Sequence, residues 1–274
     1  MNRIILRGAL ALAIGIPGLM AQPKAKSKAE GEALQAMFTA QTADARIAAA
    51  ENVLTKFADT DFKATAFYFE AASYEQKGDY EHSVVFGERA VDADPKHFQA
   101  MVLLAREIAT HTKEFDLDRE EKLAKVDKYA KSAIELVKAA PKPNPNLTDD
   151  QWAAAQKDFE AQAHEAMGLA AMARKKPDVA EAEFKAALNG VEKPDPGIMV
   201  RLGMAYSQEN KYDDAIAILD KVMAMPDIPP QFHQFAQAER VRAMQKKNGG
   251  AAAPPANGAA PATPAPPQPA APKP

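Results

Sequence analysis

The chain has 274 residues and no cysteine, which excludes disulfides, thiol catalysis, thiolate zinc sites and lipid attachment to cysteine. Its formal charge of -3 is too small to hold nucleic acid electrostatically. Two compositionally unusual ends leave about 225 residues between them, enough for one or two ordinary domains.

Residues 1–21 read as a secretory signal peptide. Arg3 and Arg7 give the positive start, an apolar run spans residues 8–16, and Leu19-Met20-Ala21 supplies the cleavage site. The run is too short to span a bilayer comfortably. No later segment is apolar enough to hold the chain in a membrane, so no integral membrane segment is expected after cleavage. The expected location is therefore the periplasm or cell envelope, or secretion beyond it. Residues 22–42 are expected to be loose, rich in Lys and Ala at first, with a helix over 32–40. From residue 43 to 58 Ile47, Ala50, Val53, Leu54 and Phe57 form one helical stripe, the second helix of an incomplete repeat. Thr60-Asp61 is expected to cap the helix that starts at Phe62 or Lys63.

Residues 64–95 hold a helix with Phe67, Ala71 and Tyr74, a turn Lys77-Gly78-Asp79-Tyr80, and a second helix with Ala90 that ends at Asp94-Pro95. Phe98 opens another helix 34 residues after Ala64, with Met101, Leu104, Ala105 and Ile108 on its apolar face. The turn after it, residues 111–120, is enlarged. A long helix over 119–140 carries Leu123, Val126, Ala130, Ala133, Ile134 and Val137. Residues 141–147 (beginning PKPNPN) break the pattern and read as a hinge between an N-terminal part, 43–140, and a C-terminal part, 148–248. Thr148 and Asp149 can cap the helix beyond it, and Trp152, the single tryptophan, is expected to pack across the repeat that follows.

That repeat, residues 161–194, has Met167, Gly168 and Ala171 in its first helix and Ala180, Phe184 and Ala187 in its second. The next, residues 196–227, has Met199, Leu202, Gly203 and Tyr206, an interruption at 210–212, then Ala215, Ile216, Leu219 and Val222. Gly168 and Gly203 are 35 residues apart. Glycine is unfavourable inside a helix, so Gly203 is expected where another helix passes closely. A last helix over 231–247 has the apolar inner and polar outer faces of an end cap. Residues 249–274 are almost all Ala and Pro and are expected to be a disordered tail.

These motifs resemble the tetratricopeptide repeat family: Leu202-Gly203, Tyr206, Tyr212 and Ala215 in one copy, and Tyr74, Gly78, Tyr80, Ala90 and Pro95 in another. Gly168, Ala180 and Ala187 match in part, with Pro177 in place of the turn tyrosine. Phe67, His164 and Met199 stand where the family has Trp. The resemblance implies an all-α fold, helix-turn-helix repeats stacked as a right-handed α-solenoid. It also implies that first helices line a groove, whose non-core positions here are Tyr68, Glu75, Gln76, Val102, Arg106, Glu165, Met172, Met204 and Gln208.

No constellation for catalysis is present: no phosphate loop, no Gly-x-Ser-x-Gly and no His-Glu-x-x-His. The five histidines are scattered; His164 can pair with Glu160 one turn earlier on a helix surface. Residues 116–120 (DLDRE) lack the ligand spacing and central glycine of a calcium loop, and Asp118 reads as a helix cap. The aromatics at Phe67, Tyr74, Tyr80, Phe184, Tyr206 and Tyr212 read as wedges between helices. The expected protein is therefore not an enzyme and carries no cofactor or metal. It is an exported scaffold that binds a protein or peptide through its groove, with no nucleic-acid partner. The alternative is a structural subunit that self-associates or joins a larger envelope assembly.

Overall fold

The computed structural model describes residues 24–249, apart from Asn144, Pro145, Glu192 and Asp227. The expected signal peptide lies outside the described residues, as does the expected tail beyond Gly249. The described residues form eleven α-helices and no strand: α1 (Lys28–Thr39), α2 (Ala43–Lys56), α3 (Lys63–Lys77), α4 (Tyr80–Ala93), α5 (Phe98–His111), α6 (Arg119–Ala139), α7 (Asp149–Ala173), α8 (Pro177–Leu188), α9 (Pro196–Gln208), α10 (Tyr212–Met223) and α11 (Pro230–Lys247). The fold class is the expected one, all-α, with helix-turn-helix repeats of the α-solenoid kind. None of these helices is long and apolar enough to cross a membrane.

The chain divides into two compact units. One runs to Ala100 and takes in Ala139–Ala153; the other comprises Met101–Lys138 and resumes at Ala154. The division thus falls inside helices. Within the first unit, Thr148 and Gln151 form a reciprocal cap. The Gln151 N–H donates to the Thr148 hydroxyl at 3.1 Å, and the Thr148 N–H donates to the Gln151 side-chain oxygen at 3.0 Å. One turn on, Trp152 is buried and its indole N–H donates to the Ala140 carbonyl at 3.3 Å.

In the segment 22–42, expected to be loose apart from a helix over 32–40, the helix begins earlier, at Lys28. Ser27 caps α1 by accepting the Glu30 N–H, and Leu34 and Met37 pack with Ala50, Val53 and Ala66 of α2 and α3. Glu30 is buried but satisfied, because the Thr60 hydroxyl donates to its carboxylate at 2.6 Å. Thr60 does not cap α3, whose N-cap position is Phe62. Its oxygen accepts the Phe62 N–H, and the α3 start has no side-chain cap.

Three helix pairs, α3–α4, α7–α8 and α9–α10, share one turn geometry. Gly78, Lys175 and Asn210 all have positive φ, at 73°, 58° and 63°. The N–H of each of these residues and that of the residue after it bond back to carbonyls in the same pattern: Gly78 to Glu75 and Asp79 to Tyr74; Lys175 to Met172 and Lys176 to Ala171; Asn210 to Ser207 and Lys211 to Tyr206. This pair of bonds satisfies the last carbonyls of the first helix and reverses the chain.

Aligned on those turns, the helix crossings correspond. A Cβ on Gly168 would overlap the fully buried Phe184 ring, with Cδ1 at 2.7 Å; one on Gly203 would meet Leu219 Cγ at 3.0 Å. The α3–α4 pair places buried Ala71 and Gly87 at these two positions. Small residues therefore stand at the corresponding position of the first helix in all three pairs. One further sequence reading changes here: His164 pairs with Glu183 of α8 at 2.7 Å, not with Glu160. Asp118 stands just before α6 as expected, its carbonyl accepting the Lys122 N–H at 3.0 Å, and its carboxylate pairs with Lys122 at 3.0 Å.

Two substitutions check this geometry in denaturant unfolding. Gly168→Ala forces the Phe184 ring aside, an overpacking cost of about 1–3 kcal/mol against about 1 kcal/mol returned by removing a helical glycine, so its midpoint falls. Lys175→Gly relieves a left-handed backbone worth about 1 kcal/mol, so its midpoint rises.

Candidate protein-binding surfaces

In the first unit, α3 carries three of the nine groove candidates. The Tyr68 ring lies 5.1 Å from His97 and 5.9 Å from Phe69. Gln76 is exposed, and its side-chain oxygen accepts from Arg46 of α2 at 3.3 Å. Glu75 is half-buried and its carbonyl belongs to the turn. Between the start of α3 and the end of α4 lies an open cleft of about 770 Å³, lined by Lys63, Phe67, Arg89, Asp92, Asp94 and His97 among others. Arg89 sits over Phe67 and Phe86, at 5.8 and 5.1 Å. Beyond Phe86 the stack continues through Tyr74 at 5.4 Å to His82, 4.7 Å further. The Phe67, Tyr74, Phe86 and His82 rings join α3 to α4, and Arg89 gives their outer edge a cation. At the cleft wall, desolvation holds the His97 imidazole below its ordinary value despite the charge of Asp94. Its Nδ1 accepts the Ala100 N–H at 3.3 Å. The cleft offers an aromatic wall and charges of both signs, which suits a stretch of peptide better than an anion or an apolar ligand.

The second unit holds the other six candidates, and the structure separates them. Val102 is 2% exposed and belongs to the core, so it is removed from the site. The reason is that α5 is buried nearly all round: Met101, Val102, Leu103, Leu104 and Ala105 are all in the interior. Arg106 donates to Gln162 of α7 at 3.1 Å, and Glu165 of α7 pairs with Arg201 of α9. These two groups tie helices together. Met172 packs against the core around Phe184 and Leu202, and Met204 against the one around Met199 and Leu219. Gln208 is exposed at the end of α9.

Lys211, in the turn that follows, is not simply solvent-facing: it bridges Glu181 at 2.6 Å and Glu209 at 3.0 Å. Burial would raise the Glu181 carboxyl, but hydrogen bonds from Lys185 and Lys211 bring it down to about 2.

Sequence reasoning missed the largest exposed apolar side chains of the described residues. Phe115 is 88% exposed and Leu117 107%, both in the enlarged α5–α6 turn. The turn holding them is tied down. Asp116 accepts the Lys113 N–H at 3.1 Å and pairs with Lys122 at 3.0 Å, Arg119 donates to the Glu114 carbonyl at 3.1 Å, and Glu114 pairs with Lys175 at 2.7 Å. The Lys113 N–H and Lys122 hold the Asp116 carboxyl below its usual range. The available signal was two large apolar residues either side of a carboxylate, outside both flanking helical stripes.

A family model described as tetratricopeptide repeat matches residues 64–97 and 196–226, which are the α3–α4 and α9–α10 pairs. Tetratricopeptide repeats are thus found in this chain. Among solved structures it is similar to a thermophilic TPR protein of Thermus thermophilus, with a TM-score of 0.53 and 18% identity over 77% of this chain and 99% of that one. That likeness shows the fold. No curated protein matches the chain. Proteins built from such repeats generally mediate contacts between proteins.

The distinction between tying and available groups is measurable. Arg106→Ala loses one interhelical hydrogen bond, worth about 1 kcal/mol. Gln208→Ala is expected to stay within about 0.5 kcal/mol of the parent. Thermal unfolding of the two variants reads the difference; equal losses would place Gln208 in the packing as well.

Proposed function

We propose that the chain is an exported scaffold of the cell envelope that binds a protein or peptide partner and performs no catalysis. One observation carries the binding role: Phe115 and Leu117 stand fully in solvent on a turn fixed by ion pairs and backbone hydrogen bonds. Burying them against a partner removes apolar area from water at little ordering cost, because the turn is already organised. The repeats support the same reading. Export rests on the signal-peptide pattern of residues 1–21, with Gln22 the first mature residue. Of the groove candidates, Gln76 in the first unit and Gln208 in the second are the most accessible, whereas Arg106, Glu165, Met172 and Met204 are engaged within the second unit.

N-terminal sequencing of the envelope fraction is expected to begin at Gln22; a mature chain starting at Met1 would contradict export. For binding, Phe115→Ser with Leu117→Ser is expected to lose the partner captured by the parent from solubilised envelope, with melting unchanged to within about 0.5 kcal/mol. Lys128→Ala with Lys221→Ala, both on exposed helix surface, is expected to capture it normally. Full capture by the serine variant would remove the turn from the interface. Recovery of nothing but the chain itself would favour the structural-subunit reading.

A further inference from the structure

Alignment on the three shared turns puts Glu70 of α3 where α7 has Met167 and α9 has Leu202. All three are buried, at 1%, 7% and 4% exposure. Glu70 is thus a carboxyl group at a position that the other two repeats fill with an apolar side chain. Its Oε2 is buried and has no hydrogen-bond partner. Two further replacements lie across from it on α4. Ser83 stands where α8 and α10 have Ala180 and Ala215, and its buried hydroxyl is also without a partner. Gly87 stands where they have Phe184 and Leu219. The contrast with Glu30 of the same unit is direct, since that buried carboxylate receives the Thr60 hydroxyl.

An ionised carboxylate without partners is costly in such a place, whereas the neutral acid is tolerated. Both helices packed against α3 bear on its charge. Burial raises the Glu70 carboxyl first, Glu51 of α2 raises it further, and Arg89 of α4 offsets part of this, leaving it at about 7. We propose that Glu70 makes the α3–α4 pair a proton-sensitive element: the pair is tightly packed while this carboxyl is neutral and loosens when it ionises. The same pair forms the cleft wall and carries Tyr68, Glu75 and Gln76, so the proton concentration sets how firmly that surface is held. Nothing in this inference requires the scaffold reading.

The sign follows from the direction of the shift. The folded state holds the proton more tightly than the unfolded chain, whose carboxyl titrates at its ordinary value near 4.5. The extra stability is fully present below that value and is lost as pH rises through about 7. Within this window the folding constant falls by as much as about tenfold per pH unit. His97, whose imidazole is depressed by burial, acts with the opposite sign, favouring folding above its ordinary value.

The test uses the full chain. The Glu70 side-chain carboxyl is followed by carbon NMR, and hydrogen-exchange protection of α3 and α4 is measured from about pH 5 to about pH 8. The expected result is a Glu70 titration near neutrality and a fall in α3–α4 protection over the same range. Glu70→Gln keeps the shape and removes the ionisation, so its protection is expected to lose that fall while His97 still titrates. Glu70→Leu, which restores the side chain of the α9–α10 repeat, is expected to show no fall and to be better protected throughout. A Glu70 carboxyl that titrates at the ordinary value overturns the proposal without any variant. So does a pH-dependent fall that persists unchanged in both substitutions.

Discussion

Close approach of paired helices is the constraint on which the rest of this structure depends. Two helices can cross tightly only where one surface offers no side chain, and the chain supplies that gap with Gly168 against Phe184 and Gly203 against Leu219. The glycine is unfavourable for the helix itself, so the packing of the partner's large side chain must outweigh that loss. Tight crossing in turn requires the chain to reverse within a few residues. The left-handed turns at Gly78, Lys175 and Asn210 do this with the same two backbone bonds. Only one of the three is glycine, so the geometry is imposed by the packed helices even where the local residue resists it.

The surfaces follow from this packing. Helices set at fixed spacing bring Arg106 to Gln162 and Glu165 to Arg201, which uses those polar groups within the molecule. Departures from the repeat plan are then the places where the molecule is individual. The enlarged α5–α6 turn exposes Phe115 and Leu117, and the α3–α4 pair buries an acid where its relatives bury Met167 and Leu202. Neither departure helps the fold. The exposed pair gains nothing from folding, and the buried acid is tolerated chiefly as the neutral form.

Helical periodicity made most of the architecture legible, because apolar stripes with a 3.6-residue period and a turn between them leave few alternatives. The tight crossing at Gly203 could be read from its mid-helix place, and the matching one at Gly168 emerged once the shared turns aligned the two pairs. The binding surface was much less legible. A helical position says which way a side chain points but not whether a neighbouring helix holds its partner, so Arg106 and Glu165 could not be told from free groups. Val102 was misplaced because α5 is buried on more sides than a two-faced helix. The helix over 32–40 was read too short because Ser27 as a cap is a weak signal until Leu34 and Met37 are set against α2. Glu70 was readable in principle, one residue before Ala71 as Leu202 is one before Gly203, but its burial depended on knowing that the two helix pairs share a register.

The claim that a small residue against a large one sets the α7–α8 and α9–α10 crossings is tested most directly by a double-mutant cycle at Gly168 and Phe184, followed by denaturant unfolding. The account predicts strong coupling. Phe184→Leu gives the Cβ of Gly168→Ala the room it lacks, so the double variant is more stable than the sum of the two single losses by more than about 0.5 kcal/mol. Losses that simply add would contradict it, since the two residues would then not share the space on which the repeat is built.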